Sequence, residues 1–175
     1  MKRVIFVEPK IENSETIADI FNKYNPDSSF VNPHVCLVFP FESDLETSIL
    51  KLIINDVFIN YSSFDIQLSG LTVSCEKRNN FLFLNVIDDL NILRQMSSDL
   101  YTRLGNNAKL KGQYTPHITL AKSESIEEIK RVHYDSLKLL QSNYCATISS
   151  VYCKEHIKDS DGKTKLKDEI VFKLS

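Results

Sequence analysis

The chain has 175 residues, 42% hydrophobic and 25% charged, with a formal net charge of −2. A chain of that length buries ~70% of its unfolded surface and folds as one domain without disulfide or metal staples. The charge excludes a protein that coats long nucleic acid by neutralising phosphates, while leaving a single nucleotide or one RNA end open as a partner.

The N-terminus, "MKRVIFVEPK", has four apolar residues before Glu8. That is too short for a signal-peptide core, so Val4 to Val7 reads as a first strand and the cytoplasm as the expected compartment. No apolar run approaches a membrane span, so no membrane partner is expected. Cys36, Cys75, Cys145 and Cys153 have neither metal-type nor disulfide-type spacing and read as free thiols.

Ile17, Ile20, Phe21 and Tyr24 have helical spacing, with Ser14 as N-cap. A strand led by Pro33-His34 comes next, closed by Phe39 and ended by Pro40. Leu45, Ile49, Leu52 and Ile53 form a helical stripe. Strands over 64–75 and 81–86 flank the polar turn "EKRNN". Asp88 caps a helix with the stripe Ile92, Met96, Leu100 and Leu104. "GNNAKLKGQ" is a loop, and a second strand led by Pro116-His117 succeeds it. Ser125 with Glu128 makes a capping box for a helix carrying Ile129, Val132, Leu137 and Leu140. Two strands, 145–154 and 169–174, close the chain around a turn at Ser160-Asp161-Gly162.

The second half repeats most of the first: helix, His-led strand, helix, strand, strand. The expected fold is α+β and bilobed, a duplication about a pseudo-two-fold axis with two antiparallel sheets, flanked by helices, around a central cleft. It is one domain, 1–175, with the lobe boundary at about 86–104 and the terminal strands free to cross between lobes. A monomer is expected.

The repeated phrases are "PHVCL" at 33–37 and "PHITL" at 116–120. Residues two apart on a strand share a face, so His34 and Cys36 point one way and Val35 and Leu37 the other. His117 and Thr119 likewise oppose Ile118 and Leu120. Each proline sits at a strand start, where its missing N–H is tolerated. If the two polar faces meet, two imidazoles and two small groups converge. One imidazole can then take a proton from an attacking water or hydroxyl while the other gives one to the leaving oxygen. The Thr119 hydroxyl can donate to a non-bridging phosphate oxygen. No metal or cofactor is required.

The phrases, with their settings "NPHVCLVFPF", "NNFLFLNVID" and "YTPHITLAKS", resemble the paired His-x-Thr/Ser-x motifs of the 2H phosphoesterase superfamily, and within it the bacterial 2'-5' RNA ligase family of cyclic-phosphodiesterase-like proteins. The resemblance spans nearly the whole chain. It implies a bilobed fold and action on 2',3'-cyclic or 2'-5' phosphodiesters of nucleotides or RNA ends. By motif position it implies His34 and His117 as the catalytic pair and Thr119 as a phosphate-binding hydroxyl. The departure is Cys36, at the second Thr/Ser position. A thiol is a weak donor, so a site with reduced phosphate contact is expected, or a nucleotide- or RNA-binding module with little turnover. Nothing in the sequence lowers the pKa of Cys36, so it is not read as a nucleophile.

The other candidates have plainer readings. His133 lies at the edge of a helical stripe and His156 in a charged, solvated segment. Cys145 and Cys153, on one strand, would be ~27 Å apart and unable to share a zinc. "KDSDG" carries one residue too many for the Lys-x-Asp-Gly adenylation motif and reads as a turn. Parity puts Tyr114 and Lys122 on the face opposite His117. Lys77 and Arg78 read as a solvated turn, and Phe39 as core.

Overall fold

The computed structural model describes residues 1–110, 112–162 and 164–175. The described residues form nine strands and four α-helices. They are β1 (Lys2–Val7), β2 (Lys10–Ile11), α1 (Glu15–Tyr24), β3 (Val35–Glu42), α2 (Thr47–Phe58), β4 (Phe64–Cys75), β5 (Asn80–Ile87), α3 (Ile92–Leu104), β6 (His117–Ser123), α4 (Ile126–Leu139), β7 (Tyr144–Ile148), β8 (Ser150–Lys158) and β9 (Thr164–Lys173). Of the 105–113 loop, Gly105–Asn107 forms a 3₁₀ turn, and residue 111 lies outside the described residues.

The expected two sheets are one. The strands run in the order β2-β7-β4-β5-β6-β3-β1-β8-β9, and each recorded pairing is antiparallel. The two His-led strands, β3 and β6, are neighbours at its middle, joined by one pairing, Val35↔Ile118. The expected strand over 145–154 is broken at Ser149 into β7 and β8, which lie in different halves of the sheet: β7 pairs with β4, and β8 with β1.

The helices form a layer against the sheet, and α1 also reaches Val4 and Phe6 through Phe21. α1 and α4 pack near β4–β6, and α2 and α3 near β3 and β9. Alternation sends Val35, Leu37, Ile118 and Leu120 into that layer, where all four are fully buried. α2 corrects the expected stripe. Seven apolar residues between 49 and 58 are too many for one face, and packing selects Leu50, Ile54, Val57 and Phe58, leaving Ile49 and Leu52 exposed. α4 buries Ile129 and Val132 but leaves Leu137 out. Ser125 Oγ caps it by accepting from Glu128 N at 3.2 Å. Asn91, at φ 56°, holds the position before α3 without a side-chain cap bond, and Asp88 supplies the cap as expected, its Oδ2 accepting from Arg94 N at 3.2 Å. Among the described residues no helix is long and apolar enough to cross a membrane.

β3 runs through Pro40 instead of ending there. Its register against β1 slips between Cys36 and Val38 and again between Val38 and Phe41. Pro40 therefore sits in a bulge, where no ladder hydrogen bond needs its N–H.

Candidate functional site

β3 and β6 run antiparallel through Val35↔Ile118. The residues on either side of that pair therefore oppose each other: His34 faces Thr119 and Cys36 faces His117. All four lie on the sheet face opposite the buried Val35 and Ile118. The two histidines are diagonal neighbours, ~7–8 Å apart at Cα for regular strands. The expected cleft between two facing sheets is thus a square on one sheet, at the seam between its halves.

Both imidazoles are held alike. His34 Nδ1 lies 2.8 Å from Asn32 O, and His117 Nδ1 lies 2.8 Å from Thr115 O. A carbonyl only accepts, so Nδ1 carries the hydrogen in each ring and Nε2 is left for a reacting group. Each ring also packs on an aromatic from the neighbouring strand. Phe6, opposite Cys36 on β1, lies 4.8 Å from His34 between centroids; Phe83, opposite Thr119 on β5, lies 3.9 Å from His117. Burial lowers the pKa of both histidines, and the carbonyl on Nδ1 opposes that in each case. Burial also pushes the Cys36 thiol up to about 12, so it stays protonated. Its surroundings are apolar, in a cluster with Val4, Phe6, Phe21 and Val31.

The seam is held by side chains where the β3–β6 ladder stops. Tyr114 Oη donates to Cys36 O at 2.8 Å, Ser97 Oγ to Leu37 O at 2.7 Å, and Phe39 N donates to Tyr101 Oη at 3.1 Å. Across the pairing, Asn25 Nδ2 donates to Thr119 O at 2.8 Å. Asn25 thereby fastens the loop that carries Asn32, and so His34, to the strand that carries Thr119. Tyr114 is buried, as expected, and its ring belongs to the main apolar core.

Two readings need correction, the parity of Lys122 and the core place of Phe39. β6 slips register against β5 between Thr119 and Ala121, and the adjacent Leu120 and Ala121 are both buried. The bulge inverts the alternation beyond it, so Lys122 stands opposite Phe81 on the same face as His117. β3 does the same: Leu37 and Val38 are both buried, and Phe39 emerges 40% exposed instead of joining the core, while Phe41 is buried. In each phrase an apolar doublet three residues after the histidine marks the bulge.

The two flanks of the square differ. On the β1–β8 side, Phe6 is fully buried, stacked by Tyr152 at 5.8 Å, and roofed by Phe21 and Val31. Lys154, over the Phe6 ring, pairs with Asp168 at 3.1 Å and Glu8 at 3.7 Å, and Asn32 Nδ2 donates to Glu8. On the β5–β4 side, Asn85 opposes His117, and Phe83 and Phe81 stack at 5.7 Å along the strand. Beyond Ile87 the same face ends in a cavity of about 440 Å³ whose charged lining is Glu12, Asp65, Asp88 and Asp89.

The plainer candidates lie away from the square. His133 is half-buried on α4. His156 is half-buried in β8 rather than solvated, opposite Leu166, with Nε2 buried and unpartnered. Cys145 is exposed on β7, and Cys153 is buried on β8. Lys77 and Arg78 are exposed on the 76–79 turn. Among the described residues no three histidine, cysteine or carboxylate side chains gather as a metal ion needs.

A family model described as the 2'-5' RNA ligase superfamily matches residues 7–158. A search of curated proteins by sequence finds no match. Among solved structures, E. coli LigT complexed with 3'-AMP is similar at a TM-score of 0.65 and 15% identity, covering 99% of this chain and 98% of that one. TT0787 of Thermus thermophilus is similar at 0.62 and 14%, covering 99% and 98%. Usb1 of Kluyveromyces marxianus is similar at 0.53 and 14%, with the same coverage. At these identities the likeness is one of fold.

Proposed function

The chain belongs to the 2'-5' RNA ligase superfamily, and from that membership we propose that it is a phosphoesterase acting on 2',3'-cyclic phosphates or 2'-5' phosphodiesters of nucleotides and RNA ends. His34 and His117 form its acid–base pair, and it works as a cytoplasmic monomer without a metal or other cofactor. The observation that carries this reading is the square about Val35↔Ile118, with two like-tautomer imidazoles on one diagonal.

In hydrolysis of a cyclic phosphate, Nε2 of one histidine takes a proton from water as its oxygen bonds to phosphorus. The P–O bond to O2' or O3' breaks, and Nε2–H of the other histidine protonates the departing oxygen. The sum is one water added, with both histidines having exchanged protonation states. Thr119 Oγ–H donates to a non-bridging oxygen as charge builds there. Ligation is the reverse of such an opening, with a hydroxyl in place of water.

The second reading is a nucleotide- or RNA-binding module with little turnover. It is favoured by Cys36, a protonated, weakly donating thiol in apolar surroundings where a hydroxyl is expected.

A panel of 2',3'-cyclic nucleotides and 2'-5' dinucleotides in excess chelator separates the two. Turnover should persist in chelator and fall ~10²–10⁴-fold in both His34→Ala and His117→Ala. Cys36→Thr should raise it, with one added donor worth up to ~10²-fold. Full activity in either histidine variant overturns the acid–base pair. Binding that depends on both histidines, without turnover, selects the module.

A further inference from the structure

The candidate site has two flanks, and they are not alike. Next to His34 the aromatic Phe6 has no exposed surface and belongs to a closed cluster. Next to His117, Phe83 and Phe81 are half-buried and belong to neither apolar core cluster of the described residues. Their rings stack along the strand, 22° from parallel, in line with His117. Thr72 and Ser74 of β4 oppose Phe83 and Phe81 and add hydroxyls on the same face.

Charge gives this row a direction. At one end Lys122 stands opposite Phe81, and the strand turns through Lys77 and Arg78, with Glu76 and Glu124 as nearby carboxylates. At the other end, past Ile87, is the cavity whose charged lining is wholly acidic. A polyanion anchored at the histidines is repelled from the second end and admitted at the first. Half-exposed rings in a row, flanked by cations, suit the stacking of unpaired bases, and hydroxyls beside the rings suit ribose.

We propose that Phe83 and Phe81, with Lys122 and the Lys77–Arg78 turn, form a track for the nucleotides immediately 5' of the reacting phosphate, so that the substrate is the 3' end of a single-stranded RNA rather than a free mononucleotide. This rests on the phosphoesterase reading for where the terminal phosphate sits, but the track is testable apart from turnover.

Phe81 pairs with Lys122, near the far end of β6 from His117, and its ring meets that histidine only through Phe83, so it is the position to change. The chain has no tryptophan, and Phe81→Trp installs a lone reporter on the track. A tetraribonucleotide ending in a 2',3'-cyclic phosphate should quench its emission, and the 2',3'-cyclic mononucleotide should not. Phe81→Ala should lower kcat/KM on the tetramer ~5- to 100-fold and leave the mononucleotide unchanged. Replacing Lys77 and Arg78 together by Ala, on an exposed turn, should weaken tetramer binding and flatten its salt dependence. Equal kcat/KM for tetramer and mononucleotide in the wild type, or a Phe81→Ala loss equal on both, overturns the track. Absence of turnover on either substrate would sink the phosphoesterase reading alone. The Phe81→Trp signal then decides the track: quenching by the tetramer supports it, and no quenching overturns it.

Discussion

A histidine whose Nδ1 is bound to a carbonyl has one nitrogen left for chemistry, and His34 and His117 share that state. Burial lowers both pKa values from 6.5. An acid–base pair needs one ring neutral and one protonated, and the free enzyme's kcat/KM profile reports those two ionisations. The profile on a 2',3'-cyclic substrate should therefore be bell-shaped with its maximum on the acid side of pH 6.5. A plateau that holds undiminished from pH 7 to 9 would mean that no protonated histidine is needed. At this scale the sequence was readable where the signal is local. The phrases at 33–37 and 116–120 alternate cleanly, and strand parity oriented His34, Cys36, His117 and Thr119 as the structure has them. Parity failed for Lys122, and the core reading of Phe39 failed too, because one extra residue in a strand inverts every position after it. The doublets Leu37-Val38 and Leu120-Ala121, two apolar neighbours inside an alternating run, were the visible trace of those bulges.

At the scale of elements, the seam between β3 and β6 is what brings the two phrases together, and a single backbone pairing cannot hold two strands. The carbonyls of Cys36 and Leu37 are taken by Tyr114 and Ser97 instead. Ser97 is almost fully buried on α3, so its hydroxyl ties that helix directly to the strand behind the site. Ser97→Ala keeps the volume but deletes a buried hydrogen bond and leaves Leu37 O without that donor, a loss of ~1–3 kcal/mol. Urea unfolding should show a lower midpoint at unchanged slope; an unchanged midpoint would mean that another group takes over the carbonyl. None of this was legible beforehand. Ser97 reads as a polar gap in the α3 stripe, since periodicity shows that a residue faces inward but not which backbone atom it meets. The split of the last long strand at Ser149 was hidden for a related reason. β7 and β8 are both strands, and local pattern carries no sign that the chain changes sheet halves between them.

For the whole molecule, the same burial that tunes the site sets how folding depends on pH. His34, His117 and His156 all have pKa values lowered from 6.5 by burial, with Lys2 adding to the effect at His156. Above 6.5 these rings are neutral whether the chain is folded or not, and they contribute no pH dependence. As pH falls below 6.5, the unfolded chain takes up protons that the folded one resists. The unfolded state then binds more protons, so stability rises with pH and falls on acidification. Glu169 works in a lower window. Arg3 is fully buried and donates from Nε and Nη2 to the Glu169 carboxylate, with Nη2 at 2.7 Å, binding β1 to β9 across β8. The pair lowers the Glu169 pKa from 4.5, so its stabilisation is present above 4.5 and lost as pH falls through the folded value. Between 6.5 and 4.5 the histidines alone among these four groups shape the curve. Thermal unfolding across that interval should show Tm falling with pH, and His156→Gln, which removes one resisting ring without touching the site, should make the fall shallower while leaving the steeper loss below 4.5 in place. A slope identical in wild type and His156→Gln would mean that His156 takes its proton in the folded chain as readily as in the unfolded one, and that its buried Nε2 opens to water as the pH drops.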